Sequence, residues 1–218
     1  MNRFKTSVLI GVFVFVAAFH GSDASAGIVY VTDFEGTVGP EWSMNSTVDS
    51  APGLSTFLGR YANDVATLSL SVVPGVQHVL YFDLYIIDSW DGFLPIPSIA
   101  GPDRFTVTID GNVLFDNTFY NNTADGMFGY QSFREPDAPR TDLGFSPYPE
   151  AIYRNVEIAF TPASSSVQIS FEGFGLQGVD DESWGLDNIE VNAVPEPATA
   201  TLFAAAIVAA SAFLRRRA

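Results

Sequence analysis

The stretch Ala66-Thr67-Leu68-Ser69-Leu70-Ser71-Val72 alternates apolar and hydroxyl-bearing residues without a break. Successive side chains of a strand point to opposite faces, so this run makes one dry face and one wet face of a sheet. Working outward, Ile28–Phe34, Val79–Ile87, Phe105–Asp110, Val113–Phe119, Ile152–Phe160, Val167–Phe174 and Leu186–Val191 are also short β-branched and aromatic runs. Gly, Pro, Asn and Asp punctuate them. Asp110-Gly111-Asn112 between two of the runs is a hairpin signal. Sustained 3.6-residue periodicity is missing from residues 27–193, so the expected fold class is all-β. The expected architecture is a single antiparallel β-sandwich, jelly-roll-like, over 27–193. Two turn-rich segments, Ser89–Arg104 and Asn121–Glu150, are too long for plain connections and are the expected functional loops.

Composition narrows the chemistry. The 218 residues carry 10 Lys+Arg against 25 Asp+Glu, two His and no Cys. Five of the cations lie at the chain ends. Between Asp33 and Glu190 only Arg60, Arg104, Arg134, Arg140 and Arg154 face 23 acids. A body so acidic is repelled by phosphate backbones, which excludes nucleic acid as a partner. Without Cys there is no thiol nucleophile, thiolate metal site or disulfide framework. His78 is the only His outside the N-terminal apolar segment, and its alternation with Val76 and Leu80 reads as a structural strand position. Neither G-x-S-x-G nor H-E-x-x-H occurs, so no enzymatic activity is expected.

The ends carry targeting information. Residues 1–26 have the positive start (Arg3, Lys5), the apolar run Val8–Phe19 and the small-residue step Ala24-Ser25-Ala26 of a secretory signal peptide. Residues 194–218 follow a second three-part plan: Pro195-Glu196-Pro197, an apolar stretch from Ala198 to Leu214, and Arg215-Arg216-Arg217. That stretch is just long enough to span a hydrocarbon core as a transmembrane helix, with the Arg cluster kept on the cytoplasmic side.

This tail resembles the PEP-CTERM sorting signal of Gram-negative bacteria, carried by Pro195, Glu196, Pro197 and Arg215, Arg216, Arg217. The resemblance implies export through the secretion machinery, transient anchoring in the inner membrane, and processing by an exosortase-type enzyme near Pro195–Pro197. Its further implication is delivery to the cell surface or the extracellular matrix. The expected function is therefore that of an exported, non-enzymatic surface or matrix protein, the alternative being a carbohydrate-binding module for exopolysaccharide.

Two sets of residues are candidate sites within the body. Asp33-Phe34-Glu35-Gly36 with Trp42, and Trp184-Gly185-Leu186-Asp187-Asn188-Ile189, are similar to the first and last strands of MAM and carbohydrate-binding β-sandwich modules. That likeness implies neighbouring first and last strands and a structural calcium held by Asp33, Glu35 and Asp187. Hard cations favour carboxylate oxygens, and a body without Lys has few internal counter-charges. The second set is Asp88, Trp90, Asp91 and Trp184. A planar indole beside short acids suits a sugar, the ring stacking on C–H faces while carboxylates accept from hydroxyls. Each indole is equally a core ring with its N–H bonded locally.

Overall fold

A computed structural model describes residues 27–49, 55–93, 102–121, 129–141, 143–145 and 148–194. The expected signal peptide (1–26) and the expected sorting tail, with its motif, apolar stretch and Arg cluster (195–218), lie outside the described residues. Eleven strands lie among the described residues. They are β1 (Gly27–Thr32), β2 (Thr47–Asp49), β3 (Thr56–Tyr61), β4 (Val65–Ser71), β5 (His78–Asp88) and β6 (Arg104–Ile109). The remainder are β7 (Asn112–Thr118), β8 (Ala138–Thr141), β9 (Glu150–Phe160), β10 (Ser166–Phe174) and β11 (Glu182–Ala193). All pairings are antiparallel, and no helix occurs among the described residues.

The strands form two sheets. The larger runs β2-β3-β11-β5-β9-β8, and the smaller β4-β10-β6-β7. β5 pairs with the whole length of β11 on one side. On the other side β3 takes the first part of β11 and β1 the last, so the first and last strands are neighbours. The opening stretch behaves as its pattern predicts. Ala66 and Leu68 are fully buried, while Thr67 is half-buried and shares a 3.0 Å hydrogen bond with Ser170 of β10, and Ser69 is exposed.

Apolar faces from both sheets close the core. Phe82 of the large sheet meets Phe171 of the small one edge-on at 5.5 Å, and Trp184 meets Phe105 at 5.1 Å. Edge-to-face pairs of this kind add to the burial of large rings. β5 is apolar on both faces because it is covered on both. Leu84 and Ile86 enter the main core, while Tyr85 and Ile87 join Phe57, Leu143 and Ile152 in a second cluster. This reproduces the near-continuous apolar run of a doubly covered central strand.

A line of bulges crosses the large sheet. The β5–β9 register shifts at Asp83, and the β5–β11 register shifts between Asp187 and Glu190. Asn188 and Asn155 take left-handed backbone conformations there, φ 49° and 51°, which Asn tolerates better than most residues. Asp83 fastens the line by accepting from Asn155 N–H at 2.6 Å and Asn188 Nδ2 at 3.0 Å. The extra residue in β11 lets Leu186 and Ile189, an odd number of positions apart, both enter the core.

Candidate functional site

β5 leaves the sandwich at Asp88, where Glu182 opens β11 directly opposite. β6 enters at the same end with Arg104. The turn after β5 carries Asp91, the residue before β6 is Asp103, and Glu182 lies between them. Ligand oxygens of all three carboxylates lie within 4.8 Å of one another. Asp103 and Glu182 are fully buried and Asp91 is 5% exposed. Gly92 makes the turn possible, since its φ is +60° and a side chain there would meet the carbonyl oxygens of Tyr130 and Phe119 below 3.0 Å.

The polar contacts of the cluster are uneven. Asp103 Oδ2 accepts from the Asp91 backbone N–H, and Asp103 N–H donates to Gly92 O at 3.3 Å. Glu182 Oε2 accepts from Gln177 N–H at 2.7 Å. Asp103 Oδ1 is buried and receives no hydrogen bond. The arginines at this end serve other acids. Arg104 pairs with Asp116, and Arg60 pairs with the buried Asp88 at 2.5 Å while also donating to Ser183 Oγ. Burial, with Asp103 and Asp91 adding repulsion, pushes the Glu182 carboxyl up to about 9. Burial, with Asp91 beside it, pushes Asp103 up to about 6.

Asp33, Glu35 and Asp187 do not converge in this way. Asp187 is buried, with Oδ2 accepting from Ser55 Oγ at 2.5 Å and Tyr85 OH at 2.9 Å, and Oδ1 from Asn188 N–H at 2.8 Å. Glu35 is exposed and binds Thr56 through its backbone N–H and hydroxyl, and exposed Asp33 caps the Glu35 N–H. Each carboxylate accepts hydrogen bonds within the fold, and the three do not form a cluster of ligand oxygens among the described residues. The Leu186-Asp187-Asn188-Ile189 motif serves the bulge described above.

The two tryptophans of the sugar set are corrected by burial. Trp90 and Trp184 have no exposed surface, and their indole N–H groups donate to Ser183 O at 2.9 Å and Ala62 O at 2.7 Å. Neither ring offers a face to a ligand. Asp88 is likewise buried, in its ion pair with Arg60.

Exposed aromatics stand beside them. Phe93 and Tyr130 pair through reciprocal backbone hydrogen bonds of 2.8 and 2.9 Å, and are 56% and 61% exposed. Tyr130 and Tyr120 wall a groove of about 350 Å³ that also includes Gln131, Glu135 and Asn121. Sequence reading passed over both tyrosines because they lie in the long irregular segment 121–150 or at its edge. The available signal was the aromatic content of a loop.

No family model and no curated protein matches the sequence. Solved structures do. A family 35 carbohydrate-binding module from Clostridium thermocellum is 14% identical over 77% of this chain and 98% of its own, with a TM-score of 0.34. The K1 cleaved adhesin domain of Lys-gingipain from Porphyromonas gingivalis W83 is 12% identical over 76% and 98%, with a TM-score of 0.40. The chain spans only 18% of a GH115 4-O-methyl-alpha-glucuronidase with specificity for decorated arabinogalactans, at 15% identity, 79% coverage of this chain and a TM-score of 0.39.

Proposed function

We propose that the chain is an exported, non-enzymatic β-sandwich displayed at the surface or in the extracellular matrix of a Gram-negative bacterium. It is delivered by its N-terminal signal and sorted through Pro195-Glu196-Pro197 and the Arg cluster by an exosortase-type enzyme. The observation that supports this reading is the pairing of Gly27 with Ala193. The junctions with both targeting segments leave the sandwich side by side, so both can be processed without disturbing the core. β11 runs from that end for roughly 35 Å at ~3.3 Å per residue.

Intact-mass analysis of surface-extracted protein tests it. The expected product begins at Gly27 and lacks Arg215–Arg217. A product that keeps the Arg cluster in cells with an active sorting enzyme overturns the sorting half.

A second reading is exopolysaccharide binding, favoured by the exposed Tyr130 and the groove it shares with Tyr120, Gln131 and Glu135. Tyrosine faces stack on sugar C–H surfaces while amides and carboxylates bond hydroxyls. Affinity electrophoresis of the full chain in the cell's own polysaccharide separates this reading from a purely structural role.

A further inference from the structure

We infer that Asp91, Asp103 and Glu182 form a binding site for one divalent cation of the calcium class. Three carboxylates, two from the ends of the β5–β6 connection and one from the start of β11, converge where two of them are wholly cut off from solvent. Closely held, buried carboxylates repel one another unless a proton or a metal ion lies between them. The second observation is Asp103 Oδ1, a buried oxygen of a cluster member that receives no hydrogen bond from a backbone, amide or hydroxyl donor, while the Asp103 carboxyl itself faces that of Glu182. Buried polar atoms are satisfied as a rule, and an exception calls for an ion, a water or a proton. Among the described residues, the arginines at this end serve other acids: Arg104 is turned to Asp116 and Arg60 to Asp88.

The donor set selects the ion. All three ligands are hard oxygens, which excludes the softer metals that prefer imidazole or thiolate. Opposite oxygens on calcium are about 4.6–5.2 Å apart, twice the metal–oxygen bond, and on magnesium about 4.0–4.2 Å. The three ligand oxygens, all within 4.8 Å of one another, fit inside the span of such an oxygen-coordinated sphere. The consequence reaches the surface. An ion on Asp91 ties the turn after β5 to β6 and β11, and that turn carries Phe93, which pairs with Tyr130 beside the groove. The cation would thus brace the loop that forms one side of the groove. The site itself is independent of whether sugar binds.

Terbium luminescence and thermal unfolding of the full chain, in mild detergent, test the site. Trp90, adjacent to Asp91, is the expected sensitiser of a terbium ion bound there. Expected are one sensitised terbium per chain, displacement of it by calcium, and a melting midpoint raised on the order of 5–10 °C at a hundredfold excess of calcium over its Kd. Asp103→Asn and Glu182→Gln, which relieve repulsion without changing side-chain size, should each remove both responses. Asp187→Asn should keep them. Identical melting curves in calcium and EDTA, with no displaceable terbium, overturn the proposal and leave a shared proton as the cluster's solution. A calcium response that survives Glu182→Gln and Asp103→Asn, or that is lost in Asp187→Asn, overturns it by placing the ion elsewhere. If a variant fails to fold, the terbium stoichiometry and calcium displacement of the unaltered chain still decide.

Discussion

Gly27 and Ala193 stand opposite each other at the shared end of β1 and β11. The pairing continues inward to Thr32 and Ile189, so β1 depends on the last five residues of β11 for its place in the sheet. Ile189 and Val191 are also fully buried core residues. A chain stopped after Val194 should therefore unfold with the same midpoint as the full chain, within the roughly 0.5 kcal/mol typical of changes that touch no core. A chain stopped after Asn188 loses both core residues and the partner of β1, and should show no cooperative transition. Urea unfolding followed by tryptophan fluorescence distinguishes the two. Cooperative unfolding of the shorter chain would show that the β1–β11 pair is dispensable.

Exposure divides the aromatic residues of the far end into two roles. Trp184 is fully buried against Phe105 and Tyr61 and bonds Ala62 O. Trp184→Ala should cost about 3–5 kcal/mol through the cavity it leaves. Tyr130, at 61% exposed, should cost well under 1 kcal/mol as Tyr130→Ala. If the groove binds polysaccharide, Tyr130→Ala weakens retardation in affinity gels at unchanged stability. Unchanged retardation in a gel that does retard the unaltered protein would remove Tyr130 from the binding surface.

Arg60 crosses from β3 to Asp88 at the end of β5, and Asp88 has no exposed surface. Its guanidinium also lies 4.7 Å from the Phe145 ring centre. Taking away one partner of a buried pair strands the other charge, so Arg60→Ala should lower stability by about 3 kcal/mol. Arg104→Ala makes the comparison, because its Asp116 partner is about a third exposed and such surface pairs contribute at most about 1 kcal/mol. Equal losses from the two substitutions, read from denaturant midpoints, would contradict the distinction drawn here.

How much of this was legible in the sequence depends on the range of the signal. All eight runs read as strands are strands, because alternation and β-branching act within a few residues. β2 is three residues long and β8 contains Pro139, so neither offers a pattern, and Gly59 interrupts the reading of β3. The carboxylate cluster failed for a different reason. Asp91 and Asp103 were visible as neighbours in one loop, but Glu182 joins them only through the β5–β11 register, a pairing across more than ninety residues. The Leu-Asp-Asn-Ile motif sits at the β5–β11 bulge, a use that local sequence does not tell from metal binding, because an Asx pair serves either. Burial of Trp90 and Trp184 is likewise a tertiary fact, since local sequence does not tell a sugar platform from a core indole.

Asp187 offers the clearest pH test. Burial raises its carboxyl above the ordinary range, the hydrogen bonds from Ser55, Tyr85 and Asn188 oppose that shift, and the nearby Asp83 charge adds to it. Tyr85 is itself pushed up by burial and stays neutral through the working range. A carboxyl whose folded-state pKa lies above its unfolded value of about 3.9 binds more protons when folded. Its stabilising contribution is therefore complete below about pH 4 and is lost as pH rises through the folded value, with a slope of at most about 1.4 kcal/mol per pH unit. Asp187→Asn removes this group while keeping its size. The difference in unfolding free energy, unaltered protein minus variant, should fall as pH rises from about 4 and then level off. Carboxylates that do not interact with Asp187 cancel in that difference, whereas Asp83, whose charge acts on Asp187, contributes through its coupling. A difference that is flat, or that grows with pH, would mean that the three hydrogen bonds outweigh burial and hold Asp187 ionised.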